Sequence, residues 1–280
     1  MLNLDQFSTL ADGLDHPEGV AWGADGNWYA GGEAGQVYRI TPNGDCAEIG
    51  STGGFCLGLA LDADHNIYVC DLGDNNVKKV SPDGAVAVYS EGSPERKFVA
   101  PNYPVFTSSG DLYVSSSGGF KEKNGCVFMI RPGGDTIIAS TEIDHFPNGM
   151  ALSPDGTELY IVLSTLPGIV KAAIQPDGTL GSTQTVVELP KTVPDGIAFD
   201  AEGNLYITCY APNRVYRFGT DGNLVMLAED WESVVLSAPT NIAFGGADMK
   251  FAIFGCLGRW HLSMIEMPIA GKILHYPKIS

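Results

Sequence analysis

Six similar segments recur along the chain and constrain its fold more than any other feature. In five of them a proline precedes a short apolar run, as in Pro194-Asp195-Gly196-Ile197-Ala198-Phe199, and in the second a cysteine takes the place of the proline. The six anchor residues are Pro17, Cys56, Pro101, Pro147, Pro194 and Pro239. Their successive spacings are 39, 45, 46, 47 and 45 residues. A period of about 40–50 residues with several short strands per unit is typical of a β-propeller blade. The sequence therefore predicts an all-β, six-bladed propeller.

Turn signals divide each unit into four short strands. Glu202-Gly203-Asn204 follows the first strand of the fifth unit, and Pro176-Asp177-Gly178 precedes the fourth strand of the unit before it. Helical periodicity is missing, which disfavours a solenoid. When four strands run antiparallel, the start of the first strand and the loop after the second lie at the same end of the blade. Residues around the anchors and in these loops are therefore expected to meet at one mouth of the central channel.

The N-terminal segment is expected to close the ring. Residues 4–10 resemble the fourth strands of other units, so we place them as the outer strand of the last blade, where they remove an exposed edge. Residues 273–276 are an alternative for that place. No linker, charge block or low-complexity run divides the sequence. We therefore predict that residues 1–280 form one domain.

Composition limits the classes of partner. The formal net charge of −17 argues against nucleic acid or an anionic membrane as partner, and we interpret it as a source of solubility. The expected partner is a small-molecule substrate. Residues 1–7 lack the basic and apolar regions of a signal peptide. The six cysteines show neither CxxC pairs nor regular disulfide spacing, so we expect buried, reduced thiols. Together these features favour a cytoplasmic location. The expected oligomeric state is a monomer or a homodimer.

The residues that follow the anchors point to a metal site. In chain order they are Glu18, Leu57, Asn102, Asn148, Asp195 and Thr240. Because the blades surround one axis, these positions form a ring, and four of the six offer carboxylate or amide oxygens. Such ligands suit a hard divalent cation. Asn148 and Asp195 each precede glycine and could also be turn residues, but Glu18 and Asn102 are not explained that way.

The repeat and these four residues resemble the senescence marker protein/gluconolactonase family of regucalcin-like proteins. This resemblance implies a six-bladed propeller with a central metal ion held by Glu18, Asn148 and Asp195. It also implies that Asn102 contacts metal or substrate, and that Asp195 is the general base. The ion is expected to be Ca²⁺, with Zn²⁺, Mn²⁺, Mg²⁺ and Fe²⁺ as alternatives. Sugar-lactone members typically carry Arg and Asp-Gly where this chain has Ala100 and Tyr103-Pro104.

The leading functional hypothesis is a metal-dependent lactonase, a hydrolase of the EC 3.1.1 type that opens a cyclic ester. Asp195 would accept the proton of the attacking water and Asn102 would position the carbonyl group. Residues at the mouth that are predicted to bind substrate are Tyr103, Phe120, Tyr210, Arg259, Trp260 and His261. The aromatic members of this set imply a substrate less polar than an aldonolactone.

Three alternatives stay open. The same metal site could support phosphotriester hydrolysis or a reaction that is not hydrolytic. The blades also resemble NHL repeats, which often serve as protein-binding surfaces. A binding scaffold has no need for carboxylates and amides that converge on its axis, so the ring of ligands separates this last alternative from an enzyme.

Overall fold

Six four-stranded antiparallel sheets surround a central channel in the computed structural model, which describes residues 1–279. Blade one contains β2 to β5, at Val20–Trp22, Trp28–Gly31, Gln36–Ile40 and Cys46–Ser51. Blade two contains β6 to β9, at Cys56–Leu61, Ile67–Asp71, Asn76–Val80 and Val86–Ser90. Blade three contains β10 to β13, at Pro101–Phe106, Leu112–Ser116, Cys126–Ile130 and Thr136–Ser140.

The remaining three blades repeat this arrangement. Blade four contains β14 to β17, at Pro147–Leu152, Glu158–Leu163, Gly168–Ala173 and Gln184–Glu188. Blade five contains β18 to β21, at Val193–Phe199, Leu205–Ala211, Arg214–Phe218 and Leu224–Glu229. Blade six contains β22 to β24, at Pro239–Gly245, Phe251–Cys256 and His261–Glu266, with β1, at Ser8–Ala11, as its outer strand. The predicted six-bladed, all-β propeller is confirmed.

The N-terminal strand closes the ring, as predicted. β1 pairs antiparallel with β24, so that Ser8 lies opposite Met264 and Thr9 opposite Ser263. The strand is shorter than residues 4–10 because Leu4–Gln6 form a 3₁₀ turn. Asn3 caps this turn: its side chain accepts a hydrogen bond from the Asp5 backbone N–H at 3.2 Å. Ring closure by this N-terminal segment pairs the outer edge of β24.

The C-terminal segment does not form an outer strand, so the alternative placement of residues 273–276 is wrong. It crosses the mouth of the channel that lies opposite the anchor residues. The Lys272 backbone N–H donates to Phe199 O at 2.9 Å in blade five, and the Tyr276 hydroxyl donates to Trp22 O at 2.7 Å in blade one. The Ala63 N–H then donates to Pro277 O at 2.9 Å in blade two. Residues 272–277, called the tail below, close this end of the channel.

Above the tail, a cavity of about 90 Å³ lies on the axis. Its wall includes one small side chain at the same repeat position of each innermost strand: Ala21, Ala60, Val105, Ala151, Ala198 and Ala243. Small residues are required there because six strands converge on the axis. The larger apolar side chains of the same strands pack between neighbouring blades and form the core.

All six cysteines are free, and all but Cys46 are buried, as expected for reduced thiols that pack as small apolar groups. Within residues 1–279, no helix has the length and apolarity needed to cross a membrane.

Candidate metal and active site

A β-bulge at the start of the innermost strand turns the anchor region of five blades out of the regular ladder. In blade four Pro147 pairs with Leu163 and Met150 with Ile161, so two residues, Asn148 and Gly149, oppose one. The same two-against-one register occurs in blades two, three, five and six. A bulge re-aims side chains that would otherwise pack within the sheet, and bulges are frequent beside active sites. It explains how Asn148 and Asp195 come into contact although they lie in different blades.

Hydroxyl groups tie the anchor regions together from blade three through blade six to blade one. Ser115 Oγ donates to Asn148 O at 2.8 Å, and Ser164 Oγ donates to Pro194 O at 2.7 Å. Thr208 Oγ1 donates to Thr240 O. Thr240 Oγ1 in turn donates to Glu18 O at 2.9 Å, which joins blade six to blade one. These bonds hold the backbone of the predicted ligands, and Thr240 therefore has a structural role in the ring.

Glu18 and Asp195 are the two buried carboxylates of the site. Burial, together with the nearby Asp195 carboxylate, raises the pKa of Glu18 well above its ordinary value. Burial also raises the pKa of Asp195 to about 7, although side-chain hydrogen bonds from Asn148 and Asn241 lower it. Two buried carboxylates that face each other resist joint ionisation in the metal-free protein. A bound divalent cation would remove that cost.

Three buried amide oxygens near the anchors of the innermost strands accept no hydrogen bond from any residue within 1–279. They are Oδ1 of Asn102, Asn148 and Asn241. An unpaired buried polar atom costs roughly 1–3 kcal/mol, so three in one place need an explanation. Amide and carboxylate oxygens are the ligands that Ca²⁺ prefers. The predicted ligands Glu18, Asn102, Asn148 and Asp195 therefore fit a hard divalent cation.

Asn241 is the residue that the repeat pattern did not reveal. It follows Thr240, and its Nδ2 lies 3.4 Å from Asp195 Oδ1. Its repeat position holds glycine in four of the other blades, so the ring of ligands predicted from one position passed over it. The sequence feature that could have revealed Asn241 is the presence of asparagine where those four blades have glycine.

Two aromatic pairs lie at the mouth of the channel. Phe120 is 54% exposed and packs edge-to-face on Phe146, with ring centroids 5.3 Å apart. Trp260 is 48% exposed and packs on His16 at 4.5 Å. Phe146 and His16 directly precede the anchors of blades four and one, which are on opposite sides of the ring. The predicted substrate residues Phe120 and Trp260 thus lie on two sides of the same entrance.

The residue before the anchor has positive φ in four blades. These residues are His16, Ala100, Phe146 and Ala238, with φ of 43°, 55°, 56° and 48°. Positive φ is uncommon for residues other than glycine, and a residue before proline normally favours extended backbone. Such strained backbone clusters at functional sites, and here it surrounds the candidate metal ligands.

The other predicted substrate residues fall in different environments. Tyr210 is exposed near the end of strand β19, and Arg259 is exposed in the turn that follows β23. Tyr103 is partly buried and lines the axial channel, where burial raises its pKa to about 12. His261 is buried in β24, and its Nε2 lies 3.0 Å from both Val235 O and Ser263 Oγ. Because its Nε2 already has partners inside the protein, we leave His261 out of the proposed substrate site.

Fold and site together define a class: six-bladed propellers with carboxylates and amides converging on the axis at one mouth. Comparison with known proteins agrees. The sequence profile of the SMP-30/gluconolactonase/LRE-like region matches residues 86–253, more than half of the chain. A profile of the N-terminal part of strictosidine synthase-like proteins matches residues 3–40. The chain belongs to the SMP-30/gluconolactonase/LRE-like family.

Individual relatives are more distant. A gluconolactonase of Zymomonas mobilis is 29% identical over 207 residues, which are 66% of this chain but only 56% of that protein. A gluconolactonase structure from Xanthomonas campestris has a TM-score of 0.80 and 22% identity, over 94% of this chain and 89% of its own. A structure of a calcium-binding protein, regucalcin, from Agrobacterium tumefaciens has a TM-score of 0.78 and 18% identity, over 97% and 96%. The two structures share the fold.

Proposed function

We propose that the protein is a metal-dependent lactonase. The observation that carries this proposal is the convergence of two buried carboxylates and three unpaired buried amide oxygens at one mouth of the channel. The family supports it, and so do the gluconolactonase from Zymomonas mobilis and the calcium-binding neighbour from Agrobacterium tumefaciens.

Glu18, Asn148 and Asp195 would hold the cation, with Asn102 beside them. A divalent ion bound there would polarise the carbonyl of a lactone. The oxygen-only donor set favours Ca²⁺ over ions that prefer nitrogen or sulfur ligands. Asn102 has an unpaired side-chain oxygen and is bonded to no other side chain within residues 1–279, so its amide is available to the carbonyl oxygen or to the ion.

Asp195 moves the proton. It accepts a proton from the water whose oxygen attacks the carbonyl carbon, and it returns that proton to the ring oxygen when the carbon–oxygen bond of the lactone breaks. A cation bound beside Asp195 would keep its buried carboxylate ionised, which is the form that accepts a proton. The amide of Asn148, 3.3 Å from Asp195 Oδ2, fixes the orientation of the carboxylate.

The entrance favours a lactone with an apolar substituent. Phe120, Tyr210 and Trp260 are each more than 40% exposed there, and exposed aromatic side chains at a site mouth usually mark a binding surface. An alkyl or aryl group would be buried against these rings.

The test compares D-gluconolactone with alkyl- and aryl-substituted lactones, using protein stripped of metal and then reloaded with Ca²⁺, Mn²⁺ or Zn²⁺. We expect metal-dependent hydrolysis that prefers the substituted lactones. Asp195→Asn should lower kcat by at least about 100-fold without loss of the folded state. Asn76→Ala is the control, since Asn76 is also buried with an unpaired Oδ1 but lies on β8, the third strand of its blade.

If no lactone is hydrolysed with any of the three ions, the lactonase proposal is wrong. A protein that binds Ca²⁺ without lactone turnover would then belong to one of the two other metal-dependent alternatives, phosphotriester hydrolysis or a reaction that is not hydrolytic. One that binds no ion would be a binding propeller.

A further inference from the structure

Asn241 occupies a position where four of the other five blades have glycine and blade three has Tyr103. The corresponding residues of blades one, two, four and five are Gly19, Gly58, Gly149 and Gly196. An added Cβ at each of these four would lie 2.0–2.7 Å from a backbone carbonyl oxygen of the next blade. Glycine therefore lets neighbouring innermost strands approach one another. Blade six departs from this pattern, and its asparagine is completely buried.

Packing does not account for this asparagine. Asparagine has low strand propensity, and burial of an amide is unfavourable unless both of its ends find partners. Only one end of the Asn241 amide has a partner within the described chain: Nδ2 donates toward Asp195 Oδ1 at 3.4 Å, while Oδ1 accepts nothing. The Asn241 backbone N–H also lies 3.4 Å from Glu18 O. The residue therefore contacts both residues that supply carboxylates.

We propose that Asn241 is a positioning residue of the metal site and a further oxygen donor to the cation. Its Nδ2 holds one oxygen of Asp195 while Asn148 holds the other, so the carboxylate is fixed from the blades on both sides. Its free Oδ1 is the third unpaired amide oxygen of the site. This inference rests on the metal centre of the proposed function, but it does not require that lactones are the substrate.

Neither a shorter nor a more acidic side chain meets both requirements. Glycine would leave Asp195 Oδ1 without a donor and would remove an oxygen from the site. Aspartate would supply oxygen but no N–H group, and it would add a third acidic group beside two buried carboxylates. Asparagine provides a donor for Asp195 and an acceptor for a cation without adding charge.

The experiment measures metal affinity and stability separately. Asn241→Gly restores the residue that the repeat uses, so it is expected to fold. Chelator-treated wild-type and variant proteins are titrated with Ca²⁺ and with Mn²⁺ by calorimetry, and melting temperatures are recorded with and without each ion. We expect about 10–100-fold weaker binding in Asn241→Gly, with the melting temperature of the metal-free protein little changed. Asn76→Ala, the matched control, should bind the ions as wild type does.

A structural role would give the opposite result: a lower melting temperature without metal and an unchanged affinity. Equal affinity of Asn241→Gly and wild type, within threefold, overturns the inference even if lactonase activity is present. If Asn241→Gly does not fold, Asn241→Ser replaces it, since serine keeps an oxygen but is too short to reach as far. The wild-type protein could also hydrolyse no lactone while Asn241→Gly binds metal more weakly than wild type. That result would support the role of Asn241 in metal binding and reject only the proposed reaction.

Discussion

Asn148 and Asp195 meet across the boundary between blades four and five, with Asn148 Nδ2 3.3 Å from Asp195 Oδ2. Each belongs to the bulge of its own innermost strand, and 47 residues separate them in sequence. The contact therefore exists only when neighbouring blades are packed in the correct register. A metal site built from such contacts forms only when the blades that supply its ligands are assembled in the ring.

Metal-free protein should become less stable as the pH rises from about 4 to about 7. The folded-state pKa values of Glu18 and Asp195 are raised above their ordinary values, Asp195 to about 7, so the folded state binds protons more tightly than the unfolded state in this range. Stability from such groups is fully present below the unfolded pKa and is lost as the pH passes the folded one. Urea unfolding of metal-free protein at pH 5 and pH 8 measures the effect.

Asp195→Asn provides the control for this pH dependence. It removes one of the two buried charges, so metal-free Asp195→Asn should be more stable than wild type at pH 8, by an amount on the order of 2–4 kcal/mol. Added Ca²⁺ should stabilise wild type more at pH 8 than at pH 5 and should have little effect on the variant. A metal-free wild type that is more stable at pH 8 than at pH 5 would contradict the proximity of the two carboxylates.

Thr240→Val should loosen the joint between blades six and one. Valine has nearly the shape of threonine but cannot donate to Glu18 O, which is buried and then loses a partner. We expect a loss of about 1–3 kcal/mol in the free energy of unfolding and weaker metal binding, because Glu18 loses a bond that holds its backbone. Urea denaturation and metal titration test both effects. Thr240→Ser keeps the hydroxyl and should restore most of each.

Leu10→Ala should weaken ring closure. Leu10 is buried on β1 and packs in a cluster shared by blades six and one, with Trp28 and Leu262 among its members. Removing a buried leucine side chain costs about 2–5 kcal/mol. Thr9→Ala, on the same strand but exposed, should change stability by less than about 0.5 kcal/mol. Equal stabilities of the two variants would mean that β1 contributes pairing but no packing to closure.

The sequence predicts best those features that depend on residues close together in the chain. The repeat spacing and the turn residues predict six blades because each blade folds from contiguous residues. Glu18, Asn102, Asn148 and Asp195 were found because they share one repeat position. Asn241 was missed because it lies one repeat position later, where four of the other blades have glycine and so offer no side-chain ligand.

Segments without periodicity were harder to place. The 3₁₀ turn at Leu4–Gln6 depends on a cap from Asn3 that shortens the predicted strand. His261 follows the mouth loop in sequence, yet its position in β24 turns it inward to Val235 and Ser263. The tail carries no repeat signal, because its partners are backbone groups of several different blades.

Removal of the tail should open the channel at the end opposite the metal site. A chain that ends at Gly271 lacks the bonds from Lys272 to Phe199 and from Tyr276 to Trp22, and it exposes the apolar wall of the axial cavity. We expect increased binding of a hydrophobic dye, faster release of metal to a chelator, and a lower melting temperature. Circular dichroism checks that the sheets persist.

Two full-length variants separate the contribution of the tail from that of chain length. Tyr276→Phe removes only the hydroxyl bonded to Trp22 O and should lower the free energy of unfolding by about 1 kcal/mol. Ile273→Ser changes a side chain that is 73% exposed and should have no effect on dye binding or metal release. If the truncated chain releases metal as slowly as wild type and binds no more dye, the tail does not seal the channel.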